Sequence, residues 1–383
     1  MLNKYMAAIY VEDIQLGGLT KIRNAAAVPL GGRYRVIDFA LSNLVNAGVK
    51  NVGIFSNEEN RGALIDHIGN GDFWDLNRKM DGVFYLTPSF IQGEKANIRL
   101  FEKNFEYFLK SRQENIIVMN SNIIYNIDLK EVIAQHEREN NDITVVYKRI
   151  DTDEDTSFEK SNNLNIKNGF VIGSGTNLLN RENEDISLDL FIMSKSLFLE
   201  LIFKRIQNGL YAGMKSLILE NMKNYNVKGF EFKGYTKYIN SVQAYFDFNM
   251  DLLNPEVKKE IFSKGRKIYT KVKDTSATKY DINSAVSNSL IANGCIISGE
   301  IKNSVLGRRV EIGKDSVVEN CIILQECKIG EGVKLTNVII DKGNLIEDNI
   351  ELIGSKKYPL MIDKNIKGYN QHIKALLEGG RTN

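Results

Sequence analysis

The feature that most restricts this chain lies in its last third. Apolar residues return there near every sixth position: Ile291, Ile297, Val317, Ile323, Ile329, Leu335, Ile340 and Ile346. Glycine, asparagine, aspartate and lysine fill most positions between them. A helix repeats after about 3.6 residues and a strand after about two, so neither accounts for this pattern. A parallel β-helix does, because each short flat side sends one residue inward and then turns at a small or polar one. The repeat slips between Gly299 and Gly313. Residues 289–383 are therefore expected to form a left-handed β-helix of hexapeptide repeats with a C-terminal tail, an architecture suited to docking and assembly.

Residues 1–253 obey a different rule. Met6 to Val11, Val52 to Phe55, Ile116 to Met119 and Ile143 to Tyr147 read as apolar strands. Val36 to Ala47, Asp128 to Arg138, Ser194 to Ile206 and Val242 to Leu253 read as amphipathic helices. In the first of these helices Ile37, Leu41, Leu44 and Val45 share a face, and Gly48 is its stop. Apolar strands alternating with helices predict a Rossmann-like α/β domain with a mostly parallel sheet covered on both faces. Ligands of such sheets sit beyond the carboxyl ends of the strands. Between the two domains, residues 254–288 form a basic connector carrying Lys258, Lys259, Lys264, Arg266, Lys267, Lys271 and Lys273 against Glu256, Glu260 and Asp274. It reads either as a solvated linker or as an anion-sensing surface, with Lys264, Arg266 and Lys267 as effector-binding candidates.

Charge excludes whole classes of partner. The 50 Lys and Arg against 48 Asp and Glu leave a net charge of +2, so no global field draws the chain to nucleic acid or to a membrane surface. Apolar runs such as Ile116 to Met119 are far below the ~20 residues that span a bilayer. The N-terminus lacks the pattern of a secretory signal. Cys295, Cys321 and Cys327 are odd in number and clustered, which favours a reducing cytoplasm and small buried thiols over disulfides or zinc. His67, His136 and His372 all lie outside 289–349, which argues against a hexapeptide-repeat acyltransferase with a solenoid histidine as base.

Residues Val28 to Asn43 read VPLGGRYRVIDFALSN. Trp74, Asp75, Leu76 and Arg78 form a WDL-x-R element, and Gly234, Tyr235, Ala244, Tyr245, Asn249 and Asp251 to Leu253 mark the end of the domain. Together with the repeat that follows, these segments resemble the bacterial glucose-1-phosphate adenylyltransferases over nearly the whole chain. The resemblance implies a scaffold built to make ADP-glucose and pyrophosphate from ATP and glucose 1-phosphate for glycogen synthesis. That reaction is an in-line attack on the α-phosphorus, which needs close backbone amides, cations and carboxylate-held Mg²⁺.

Those requirements are missing position by position. Where active relatives carry a Gly-Gly-x-Gly-x-Arg turn, this chain has Tyr10 and Val11 for the paired glycines, Asp13 for the third and Gln15 for the arginine. Glu12 and Asp13 would face a polyanion, and one such pair at ~4 Å costs about 4 kcal/mol at an effective dielectric of ~20. Ala25 replaces the lysine of Lys-Pro-Ala-Val-Pro. Asn122 and Tyr238 replace the two metal carboxylates. The resemblance thus implies a non-catalytic, regulatory-type subunit with no metal or cofactor of its own. A catalytic paralogue would supply the Mg²⁺ site in a mixed tetramer, and the chain alone would at most form homo-oligomers. The retained Arg33, Arg35 and Asp38 either tie their loop to the sheet, with Asp38 as ionic partner, or keep a residual ligand. A weakly active adenylyltransferase with a rearranged site and a sugar-phosphate sensor are the alternatives.

Overall fold

A computed structural model describes residues 4–58, 60–86, 104–150, 156–159, 161–177, 184–207, 214–262 and 265–364. The N-terminal domain is built on a nine-stranded sheet. In chain order its strands are β1 (Tyr5–Tyr10), β2 (Asn51–Phe55), β3 (Gly82–Leu86), β4 (Asn115–Asn120), β5 (Ile143–Ile150), β6 (Asn162–Lys167), β7 (Phe170–Thr176), β8 (Glu184–Ser194) and β9 (Val227–Glu231). Their order across the sheet is β3-β2-β1-β4-β8-β5-β9-β7-β6. Pairing is parallel among β1 to β4 and between β5 and β9, and antiparallel at β8 and β7. Only β7 and β8 oppose the common strand direction, so the expected mostly parallel sheet is the one observed.

β1 is buried at every position, which is why it shows no alternation in the sequence. Its residues Tyr5, Ala7 and Ile9 pack with α1 (Val36–Asn46), and with Val132 and Ile133 of the helix Leu129–Arg138. Met6, Ala8 and Tyr10 point to the other face, against Phe108, Phe198, Leu201 and Ile202. Asp128 starts its helix by accepting a hydrogen bond from the Lys130 backbone amide.

The second domain is the left-handed solenoid. Three five-stranded parallel sheets form its sides. The Ser316 hydroxyl accepts from the Val333 amide 17 residues on, which is the length of one regular coil. Three sides in 17 residues mean two steps of six and one of five, and that shorter step is what blurs the period. Hence Val317, expected to point inward, is 37% exposed, while Val318 is fully buried. Strand Val317–Glu319 lies between Glu300–Lys302 and Lys334–Thr336, and its middle residue stacks with Ile301 and Leu335. The first coil also starts before Ser289. Lys279–Tyr280 and Ala285–Ser287, inside the stretch assigned to the connector, already pair in parallel with Ile296–Ile297 and Glu300–Lys302. The three cysteines are free and buried in the solenoid, and burial pushes the Cys321 and Cys327 thiols up to about 12. Among the described residues no helix is long and apolar enough to cross a membrane.

The two domains share a hydrophobic core. Leu16, Leu19, Ala25 and Val28 from the first domain meet Tyr245 and Phe248 of α2 (Val242–Asp251) and the solenoid residues Ile322, Leu324 and Ile339. Arg23 and Asp341 form an ion pair at this seam, with side chains only 3% and 0% exposed. Lys21 and Asp363 make a second, more exposed pair.

Candidate functional site

The region beyond the carboxyl ends of β1 and β4 is where a ligand of this sheet would sit. Here β1 ends in Tyr10, and the backbone amide of Val11 donates to the Phe55 carbonyl at 2.9 Å. Glu12 follows, and it accepts a hydrogen bond from the Tyr238 hydroxyl. Tyr238 arrives on a short strand, Lys237–Tyr238, that pairs with Ile123–Ile124 just after β4. Its ring lies 6.3 Å from that of Phe158. Burial, reinforced by Glu12 and Asp189, holds the Tyr238 hydroxyl well above its ordinary range, so it stays protonated and donates. Tyr10 is held high for the same leading reason, and its hydroxyl has no hydrogen-bond partner among the described residues.

What remains open is a cleft of about 180 Å³, lined by Glu12, Asp13, Gln15, Lys21, Asn24 and Asn57 among others. The Gln15 side chain folds back, donating to Asp13 at 3.2 Å and accepting from the Thr20 hydroxyl at 3.4 Å. Ala25 stands in a buried turn capped by Asn24, with no surface toward the cleft. Asn122 is also fully buried, and its side-chain oxygen accepts from the Ser121 hydroxyl at 2.6 Å. Val11, Asp13 and Gln15 line this cleft, and Tyr238 reaches its edge through Glu12; Asn122 is enclosed behind it, and Ala25 belongs to the core shared by the domains. The cleft carries the carboxylates of Glu12 and Asp13, and its two cations, Lys21 and Arg23, are already paired with Asp363 and Asp341, so it is not a phosphate cradle.

The segment Val28 to Asn43 has a structural use. Pro29–Leu30 and Tyr34–Arg35 form a hairpin whose tip is Gly31 and Gly32. Both adopt positive φ, at 52° and 76°, a region open to glycine. A Cβ on Gly32 would come within 2.9 Å of the Leu306 carbonyl, so the tip rests directly on the solenoid. The Gly31 amide donates to Asn249 at 2.9 Å. Asn43 donates to the Tyr125 carbonyl and accepts from the Ile127 amide, fastening α1 beside β4. Arg35 donates to the carbonyls of Ala27 and Ala63. Asp38 accepts from the Arg35 backbone amide at 2.9 Å and hydrogen-bonds His67 Nε2 at 2.5 Å, because α1 buries it facing the helix Gly62–Ile68.

Arg33 does not tie the loop to the sheet. It is exposed and lines an interdomain cleft of about 490 Å³ together with Lys258, Lys273 and Arg308. Tyr34 and Phe262, stacked 5.0 Å apart, form an apolar wall. No carboxylate is among the lining residues. Burial depresses the Lys273 and Arg308 pKa values, and the neighbouring cations add to it, with Arg308 and Arg35 acting on Lys273 and Arg33 and Arg309 on Arg308. An anion placed here would relieve that repulsion. The effector candidates lie elsewhere: Arg266 donates to Asn126, Lys267 sits 5.3 Å from the Tyr269 ring, and Lys264 is outside the described residues. Arg308 gave no sequence signal, because it stands alone in the solenoid repeat and meets the connector only through the fold.

Comparison with known proteins places this geometry. Residues 14–158 match the nucleotidyl transferase family, and residues 273–358 match the GlmU-like C-terminal hexapeptide family. The glycogen biosynthesis protein GlgD of Bacillus subtilis (strain 168) is 33% identical over 372 residues, covering 96% of this chain and 98% of that protein. The chain belongs to the GlgD family of glycogen biosynthesis proteins. A second relative of that name, from Geobacillus stearothermophilus, is 36% identical over 322 residues, 83% of this chain and 82% of its own length. The glucose-1-phosphate adenylyltransferase of Clostridium novyi (strain NT) is 29% identical over 330 residues, 83% of this chain and 85% of that enzyme. GlgD-family membership and kinship to the adenylyltransferases thus stand together.

Proposed function

We propose that this chain is a regulatory and structural subunit in cytoplasmic glycogen biosynthesis, acting by pairing with a catalytic glucose-1-phosphate adenylyltransferase paralogue. The observation that carries the reading is the Tyr238–Glu12 hydrogen bond at the head of β1. It fills the place of a triphosphate with a tyrosine ring and a carboxylate, while Asn122 is turned into the protein. Such a pocket cannot stabilise charge developing on phosphorus. The chain itself needs no metal under this reading; Mg²⁺ belongs to the partner.

A docking surface supports the pairing. The first solenoid coil has no coil above it, so Lys279–Tyr280, Ala285–Ser287 and Leu290–Ile291 end their sheets. Uncovered strand edges carry unpaired backbone groups and invite another chain. Tyr280 and Val286 are exposed at this end, and Ile282 beside them is 94% exposed. A paralogue with its own solenoid is the occupant that fits. Co-expression with the catalytic paralogue, followed by light scattering and an ADP-glucose assay, is expected to give a mixed oligomer and a faster partner. Ile282→Glu, which costs no buried contact, is expected to weaken the mixed oligomer by about tenfold or more. Separate elution of the two chains, with the partner's rate unchanged, would refute the pairing.

The cationic cleft favours a second role, sensing a sugar phosphate. Calorimetry with fructose 1,6-bisphosphate, glucose 1-phosphate and ATP is expected to show saturable binding of a phosphorylated ligand. Lys273→Ala/Arg308→Ala should weaken it by about two orders of magnitude, as removing two charge-assisted contacts does. Heats that do not saturate, or that survive the double substitution, would leave the cleft without this role.

A further inference from the structure

A second groove, of about 480 Å³, runs along one corner of the solenoid and shares no lining residue with the cationic cleft. Its floor is a column of four asparagines from successive coils: Asn288, Asn303, Asn320 and Asn337. All four take positive φ, between 38° and 53°. Asparagine tolerates that conformation, so the backbone accounts for part of the choice. It does not account for all of it. The equivalent positions at the other two corners hold Arg309, Glu326 and Gly343, and Asp315, Gly332 and Asn349. An unbroken column of amides occurs at the corner that faces α2.

The walls suit a particular ligand chemistry. Met250 and Leu253 present half-buried apolar side chains, and Pro255 lies beside them. Asp247 adds a carboxylate, held by the Gln243 side-chain amide at 2.7 Å. The last coil carries extra residues between Ile353 and Leu360, and their Lys356 carbonyl accepts from Gln243 at 2.9 Å, closing one end. Deep in the column, Asn337 donates to the Gly354 carbonyl at 3.1 Å. Its own side-chain oxygen is buried without a hydrogen-bond partner among the described residues.

We infer that this groove binds a neutral oligosaccharide. Asn288 donates to the Asn303 side-chain oxygen at 2.8 Å, which leaves the Asn303 donors, the Asn320 amide and the Asn337 oxygen to meet the hydroxyls of a sugar. Strand spacing sets the rungs ~4.8 Å apart, a regular ladder for a repeating chain. Apolar side chains opposite the ladder cover the aliphatic face of a sugar ring. One carboxylate and one ammonium leave the lining without net charge, which disfavours phosphorylated ligands. The inference stands apart from catalysis and from subunit pairing.

Titration calorimetry of the full chain with maltotriose, cellotriose and glycerol tests it. Saturable binding of at least one trisaccharide is expected near or below about 1 mM, the affinity of a few net hydrogen bonds. Asn303→Gly/Asn320→Gly removes two rungs where glycine is at ease, and is expected to weaken binding about tenfold or more. Asn303→Asp/Asn320→Asp, which keeps shape and backbone preference but deletes donors, should do the same if the glycine pair fails to fold. Asn349→Gly, at another corner, should leave binding unchanged. Absence of saturation with both trisaccharides, equal binding of glycerol, or full affinity in the folded double variants would each overturn the assignment.

Discussion

The purified chain is expected to form no ADP-glucose above background, and Asn122→Asp or Tyr238→Asp alone should leave it there. Removing a single oxyanion-type contact typically costs about 10²–10³ in rate. By the resemblance, the positions of the glycine loop, its arginine, a lysine and both metal carboxylates are held here by Tyr10, Val11, Asp13, Gln15, Ala25, Asn122 and Tyr238. Even three independent losses put the rate down by about 10⁶ or more. Single reversions fail for reasons visible in the fold. An aspartate at 122 would be enclosed beside Ser121, away from the cleft. An aspartate at 238 would stand beside Glu12 and Asp189, trading a hydrogen-bond donor for a third negative charge. Pyrophosphate release with ATP, glucose 1-phosphate and Mg²⁺, checked by chromatography for ADP-glucose, is the measurement. Turnover by the wild-type chain, free of any copurified paralogue, would sink the reading.

Arg23→Ala is expected to be the most destabilising single change at the domain seam, at about 3–5 kcal/mol, because it strands Asp341 as an unpaired buried charge. Asp341→Ala should cost a similar amount by stranding Arg23. The thermal midpoint should fall by on the order of 5–10 °C. The double change Arg23→Met/Asp341→Leu separates the pair from the packing: burying two apolar chains instead should recover most of the loss. If either single variant melts with the wild type, the seam is not held by this pair.

The sequence legibly carried what depends on near neighbours. The parallel strands, α1 and the solenoid all rest on local periodicity, and each is present. The inward residue of the strand Val317–Glu319 is Val318, one position from the expected Val317, because a 17-residue coil is not a multiple of six. The resemblance, not any local pattern, singles out Tyr10, Asp13, Asn122 and Tyr238, and the fold brings Tyr238 to the end of β1 beside Glu12. That contact could not be read in the sequence: Glu12 and Tyr238 are 226 positions apart. Arg23 and Asp341 are separated by 318, and no spacing rule reaches that far. The cationic cleft is a sharper case. The connector's charge is plain in the sequence, yet among its described residues only Lys258 and Lys273 join Arg33 and Arg308, while Arg266 turns to Asn126.

Ala25 packs among Leu16, Leu19 and Val28 in the core that welds the two domains. A lysine restored there would have to push an ammonium into hydrocarbon before it could ever touch a phosphate. The cost of a charge at this position therefore falls on the joint between the domains before it can fall on any ligand.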